Sequence, residues 1–210
     1  MSRSKSSQKW LQEHHDDQYV LQARKEGYRS RAVYKLIELQ QKDKLLKPGM
    51  FVLDLGAAPG GWSEYVSHFA GPKGRLIAID ILPVDPIVGV EIIQGDFTEA
   101  DTLEQILDLV DRQPVDLVLS DMAPNLSGVD SVDQPRSMYL GELAFELAKD
   151  CLAKDGQFVV KLFQGEGYEA LISSFKSAFK SVKYRKPDAS RARSREIYAV
   201  CSGLKQRIRL

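Results

Sequence analysis

FVLDLGAAPGGW, residues 51–62, couples a short apolar run to a loop with glycines at 56, 60 and 61. Phe51–Leu55 follows the turn Lys47-Pro48-Gly49 and has the length and composition of a buried strand. Beyond it, Gly56, Gly60 and Gly61 admit turns that a Cβ forbids and let the main chain come close to a ligand. Asp54, near the strand's end, can accept hydrogen bonds from the loop or from a cationic ligand end. Glycine loops after strands also hold phosphates and dinucleotides. Here the Lys-Ser/Thr of a P-loop is missing and GxGxxG is not matched.

Upstream of this stretch, Ser30 is placed to cap a helix to about Gln41, with Val33, Leu36, Ile37 and Leu39 as apolar positions. Residues 1–28 read as a polar, irregular or partly helical arm ahead of a single domain over 29–210. Downstream, Arg75–Asp80, Val90–Ile93, Val115–Ser120 and Phe158–Phe163 read as strands, the last after a turn at Asp155-Gly156. Between them, Asp101–Val110 is expected to be a helix capped by Asp101, and Tyr139–Leu152 shows one apolar helical face. A helix over Tyr168–Phe179 leads to two β-rich runs, Ser181–Arg185 and Glu196–Cys201. Alternating strands and helices predict an α/β, Rossmann-like fold: a mostly parallel seven-stranded sheet with helices on both faces. The last two runs lack an intervening helix, so they should pair as a hairpin and add an antiparallel edge.

Open sheets of this kind bind ligands at the carboxyl ends of their strands. The glycine loop lies at such an end. The next strand ends in Asp80, where a carboxylate can accept both ribose hydroxyls of a nucleoside, and the third ends at Gly95-Asp96-Phe97, where a second can accept an adenine amino group. Two acids at successive strand ends after a glycine loop describe a nucleoside pocket.

Composition narrows the partners. A formal net charge of zero hides a segregation: residues 1–47 carry a balance of +5, residues 48–175 of −14 and residues 176–210 of +9. Basic ends of this strength point to nucleic acid. Cys151 and Cys201 are the only cysteines, which excludes a disulfide scaffold or a cysteine-based zinc site and suits a reducing cytoplasm. No metal site is expected. No apolar run approaches the ~20 residues of a membrane span, and the basic, Ser-rich start lacks the apolar core of a secretory signal.

DLGAAPGGW (54–62), Asp80, GDF (95–97) and DMAPN (121–125), with SRAVYKL (30–36), VVKLFQGEG (159–167) and RKPDASRARSREIY (185–198), resemble the motifs of the FtsJ class of methyltransferases. The resemblance covers nearly the whole chain and implies S-adenosylmethionine as methyl donor. It also implies that Gly60, Trp62, Asp80, Asp96 and Asp121 contact the cofactor, beside Asp54 and Gly56 from the loop. It further implies a catalytic Lys-Asp-Lys-Glu tetrad, which falls on Lys35, Asp121, Lys161 and Glu196.

Part of that tetrad is visible without the family. Asp121 and Lys161 each stand at the end of a buried apolar run, and a lysine inside VVKLF is costly to bury unpaired. A structural ion pair with Asp121 is the plain alternative. Methyl transfer from a sulfonium is an in-line displacement, for which alignment of acceptor and methyl provides much of the acceleration. Lys161 is the candidate to orient a ribose 2′-hydroxyl and take its proton; an orienting role with late proton loss stays open. Cytosine C5 chemistry would need a cysteine near the cofactor loop, and DMAPN holds none.

The basic runs lead into these residues: Arg24, Lys25, Arg29 and Arg31 precede Lys35, and Lys183, Arg185, Lys186, Arg191, Arg193 and Arg195 precede Glu196. Arg24, Lys25, Arg29, Arg31, Arg191, Arg193 and Arg195 are the candidates for RNA phosphates. Tyr28 and Tyr34 could stack bases, with core packing an equal reading for Tyr34. The resemblance implies a uridine in the A-loop of 23S rRNA, within the 50S ribosomal subunit, as substrate of a cytoplasmic monomer. Another RNA such as tRNA, or a noncatalytic ribosome assembly role, are the other readings.

Overall fold

The computed structural model describes residues 17–110, 113–125 and 127–205. Residues 1–16 of the N-terminal arm therefore lie outside the described residues; within residues 17–28 runs a helix, α1 (Gln18–Glu26), capped by the Asp17 side chain on Tyr19 N. Then follow α2 (Val33–Asp43), β1 (Phe51–Leu55), α3 (Gly61–Ala70), β2 (Arg75–Asp80), β3 (Val90–Gln94), α4 (Ala100–Val110), β4 (Val115–Ser120), α5 (Asp130–Cys151), β5 (Leu152–Phe163), α6 (Tyr168–Ala178), β6 (Phe179–Arg185) and β7 (Glu196–Leu204).

The strands form one seven-stranded sheet in the order β3-β2-β1-β4-β5-β7-β6. β1, β2, β3, β4 and β5 pair in parallel, while β7 runs antiparallel to both β5 and β6. The expected hairpin is present, but it does not add an antiparallel edge. β7 inserts between β5 and β6, so the antiparallel strand is internal and β6 is the edge. β6 returns parallel to β5 through α6, leaving one strand's width for β7 to fill on its way back.

Alternation sorts each strand's side chains to two faces. Phe51, Leu53 and Leu55 join Ile77, Ile79, Val118, Phe158 and the interiors of α4, α5 and α6. Val52, Leu76, Leu117, Leu119, Val159 and Tyr198 meet Leu36 and Leu39 of α2 and Trp62 and Val66 of α3. Among the described residues, no helix is long and apolar enough to cross a membrane.

Several local expectations are corrected. Ser30 does not cap α2, which begins at Val33 without a side-chain cap. The Ser30 hydroxyl instead lies against Gly61, where a Cβ would stand 2.6 Å away. Asp101 lies inside the first turn of α4 rather than at its cap. α5 starts nine residues before Tyr139, although Pro135 and few apolar positions obscure its helical period. Its first turns are fixed by side-chain bonds: Asp133 accepts from Ser127 N and Gly128 N of the preceding loop, and Gln134 donates to the distant Phe163 O and Glu166 O. The Asp155-Gly156 turn appears as an irregularity inside β5, where the register with β4 jumps from Val115–Leu152 to Leu117–Gln157.

Candidate active site

Strand order reverses between β1 and β4, the switch point at which sheets of this kind bind ligands. Asp121 N bonds Leu55 O across that point at 3.2 Å, so the glycine loop and the DMAPN loop leave the sheet side by side. Gly56 has φ +79, and a Cβ there would come within 2.7 Å of Met122 Cγ; the contact explains why the position needs glycine. A pocket of about 530 Å³ opens beside it, lined by Gly56, Asp80, Asp96, Phe97, Asp121 and Leu82 among others. Asp80 is anchored by Ala58 N and Leu82 N, each at 2.8 Å, which aims its remaining lone pairs at the pocket. Bonds from Thr98 N and its hydroxyl hold the Asp96 carboxyl below its usual range.

Asp54 is fully buried behind the loop, on the α3 face of the sheet, with one oxygen on Ser63 Oγ at 2.6 Å and the other without a partner. Burial raises its pKa to about 7. Gly60, with φ +104, caps α3 and faces Ile87, Val84 and Arg29 rather than the pocket. Trp62 is turned away from the pocket: its indole donates to Ala32 O at 2.7 Å and packs on Tyr198. Three carboxylates in the lining, Asp80, Asp96 and Asp121, suit a nucleoside with a cationic tail, as S-adenosylmethionine has.

A second cleft, of about 640 Å³, adjoins the first through Ala123 and is lined by Lys35, Lys161, Glu196, Arg191, Arg193 and Arg195 among others. The tetrad candidates meet at this junction. Lys161 Nζ donates to the Asp121 carbonyl at 2.5 Å and pairs with its carboxylate at 3.0 Å. Lys35 of α2 pairs with Glu196 at 2.8 Å. Burial would raise the Asp121 carboxyl, but Lys161, Lys35 and the Tyr198 hydroxyl prevail and lower it. At Glu196 burial is likewise outweighed, chiefly by Lys35, and the carboxyl is lowered.

The sheet explains this convergence. Lys161 lies opposite Tyr198 in the β5–β7 register, and Glu196 is two residues before Tyr198, so all three face α2. Tyr198 is absent from the sequence-based candidates. It is fully buried and donates to Asp121 Oδ1 at 2.6 Å, bracing the carboxylate that Lys161 pairs with. Burial pushes its phenol well above the usual range, so the hydroxyl stays a donor. The period-two step from Glu196 was the available signal.

The FtsJ-like methyltransferase family model matches residues 28–204. This chain belongs to the FtsJ-like methyltransferase family. Ribosomal RNA large subunit methyltransferase E of Hahella chejuensis is 58% identical over 205 residues, covering 98% of this chain and 100% of the relative. Among solved structures, a ribosomal RNA methyltransferase from Plasmodium falciparum is 30% identical with a TM-score of 0.74, covering 84% of this chain and 98% of that one. Human methyltransferase-like protein 13 in complex with SAH shares the fold at 16% identity and a TM-score of 0.57, covering 84% of each chain.

In this FtsJ-like methyltransferase the basic candidates separate into two groups. Arg24 and Lys25 are exposed on α1, and Arg191, Arg193 and Arg195 line the second cleft with Arg31, Arg195 being paired with Asp130 at 2.8 Å. Arg29 is bound inward, donating to Asp85 O at 2.8 Å and Pro86 O at 2.9 Å. Arg31 is held by Asp17 and by Ala189 O, under the Tyr19 ring. Lys183 and Arg185 both pair with Asp43. Tyr34 is buried and donates to Glu26 at 2.8 Å, with Tyr28 edge-on against it.

Proposed function

We propose that this methyltransferase transfers a methyl group to the 2′-hydroxyl of a uridine ribose in the A-loop of 23S rRNA, acting as a cytoplasmic monomer on the 50S subunit. The rRNA assignment rests on the 58% identical large-subunit enzyme, and the nucleotide on the family resemblance. The carrying observation for the chemistry is the Lys161 amine, paired with Asp121 where the two clefts join.

Asp80 and Asp96 hold the nucleoside, with Gly56 admitting it to the main chain. Bound there, S-adenosylmethionine supplies an electrophilic methyl for in-line displacement. Lys161 bonds the 2′-hydroxyl entering from the second cleft and orients a lone pair towards the methyl. As the new C–O bond forms and the methyl–sulfonium bond breaks, the hydroxyl proton passes to the Lys161 amine, which enters this step having released its own proton to solvent. Asp121, braced by Tyr198, fixes the amine. Lys35 and Glu196 neutralise one another at the entrance, beside the arginines of the second cleft.

Lys161→Ala tests this. Positioned proton transfer contributes about 10²–10⁴-fold, so methylation of ribosomal particles should fall by at least that range while calorimetric binding of S-adenosylmethionine is retained. Loss of cofactor binding in a folded variant, or methylation at the wild-type rate, would overturn the assignment.

A further inference from the structure

The connection between β6 and β7, residues 186–195, carries Arg191, Arg193 and Arg195 along the second cleft. Like charges on a connection of this length repel one another, and ordering it costs conformational entropy. Contacts outside the connection seat it: Asp130 and Gln164 N hold Arg195 at its far end, and α2 holds its middle and the strand ends that flank it. At its start, Asp43 takes Arg185 through two bonds of 2.7 Å. At its end, Lys35 pairs with Glu196. Between them, Glu38 Oε2 accepts Asp188 N at 2.7 Å and Oε1 accepts Ala189 N at 2.8 Å.

Glu38 is three residues beyond Lys35, on the same helix face. It grips two successive peptide N–H groups, while Arg31 donates to the carbonyl of Ala189, which is wholly buried. From that anchor, a turn closed by Ser190 N on Pro187 O leads to a second, closed by Ser194 N on Arg191 O, each at 2.9 Å. Arg195 has its own anchors in Asp130 and Gln164 N, so it is the path of Arg191 and Arg193 that follows from where Asp188 and Ala189 are fixed.

We infer that Glu38 is a positioning residue for the RNA substrate: its carboxylate seats the Asp188-Ala189 peptides, and so holds the arginine loop where it meets substrate phosphates. Glu38 reaches neither cleft itself. The role needs two acceptor oxygens carrying charge, because both partners are N–H groups. Glutamine keeps one acceptor and turns a donor towards the other peptide. Alanine keeps neither. This inference rests on the proposal that Arg191, Arg193 and Arg195 bind RNA.

Methylation kinetics on 50S particles should be compared for wild type, Glu38→Gln, Glu38→Ala, the triple alanine variant at 191, 193 and 195, and that variant combined with Glu38→Ala. Thermal unfolding and S-adenosylmethionine affinity are measured for each. Loss of two charge-assisted bonds should raise the KM for particles about tenfold in Glu38→Ala, with kcat and cofactor affinity close to wild type. The dependence of KM on salt should flatten, as phosphate contacts are lost. Glu38→Gln should fall between, and Glu38→Ala should add nothing in the triple background. If the triple variant raises KM but neither Glu38 variant does, below its own unfolding temperature, the inference is overturned alone. If the triple variant also leaves KM and its salt dependence unchanged, the RNA-binding proposal fails and the inference with it.

Discussion

Asp54 shows how one buried group couples the cofactor loop to stability. It is neutral in folded and unfolded chains below about pH 4, and there its burial carries no electrostatic cost. As pH rises from its unfolded value of 3.8 towards the folded value of about 7, the unfolded chain releases the proton first and folding loses stability; above that the loss is constant. The shift corresponds to about 4 kcal/mol. Asp54→Asn removes the titration, so its urea unfolding free energy should match wild type near about pH 4 and exceed it by a few kcal/mol above about pH 7. Equal pH dependence of the two proteins would contradict the buried, unpaired state. At Asp80, Asp80→Ala should weaken S-adenosylmethionine binding by about 10- to 100-fold, as hydrogen bonds to a charged acceptor are lost; unchanged affinity by calorimetry would remove it from the pocket. Asp80, Asp96 and Lys161 were legible in the sequence because a charge at the end of an apolar strand is costly unless a partner or ligand meets it. Tyr198 was not legible. An aromatic in a strand reads as core, and its hydroxyl's partner is known only once β7 lies beside β5. Arg29 and Arg31 were equally opaque, since sequence shows a charge but not the carbonyl or carboxylate that holds it.

Between elements, the sheet's second half depends on α6 closing over β5 and β6. Phe175 of α6 is fully buried against Phe145 at a centroid distance of 4.8 Å and against Phe158 at 5.7 Å. Phe175→Ala should therefore cost about 3–5 kcal/mol in chemical denaturation; a loss below about 1 kcal/mol would mean that the core collapses into the space. The strands themselves were readable, because buried parallel strands are short apolar runs with clear boundaries. Their order was less so. Nothing in Ser181–Arg185 or Glu196–Cys201 says that β7 enters the gap between β5 and β6. The start of α5 was hidden for a related reason: Asp133 fixes it through bonds to the loop just before it and Gln134 through a long-range bond to Phe163, not through an apolar period.

Across the whole molecule, the opposed charge balances of the ends and the middle acquire a geometry. α2, from the basic N-terminal part, carries Lys35, and the basic C-terminal part brings Arg191, Arg193 and Arg195 to the same cleft. The cofactor pocket, drawn mainly from the acidic middle, presents Asp80, Asp96 and Asp121 to its ligand. Salt should therefore separate the two ligands: raising ionic strength should raise the KM for ribosomal particles steeply while S-adenosylmethionine affinity changes little. The most direct measurement of the proposed activity is transfer of a labelled methyl group from S-adenosylmethionine to 50S subunits lacking the modification, to free 23S rRNA and to tRNA, followed by nucleoside analysis. Label is expected in 2′-O-methyluridine from the A-loop of 50S particles, and it should depend on Lys161. Label in a base, in tRNA alone, or in no acceptor at all would overturn the proposed activity.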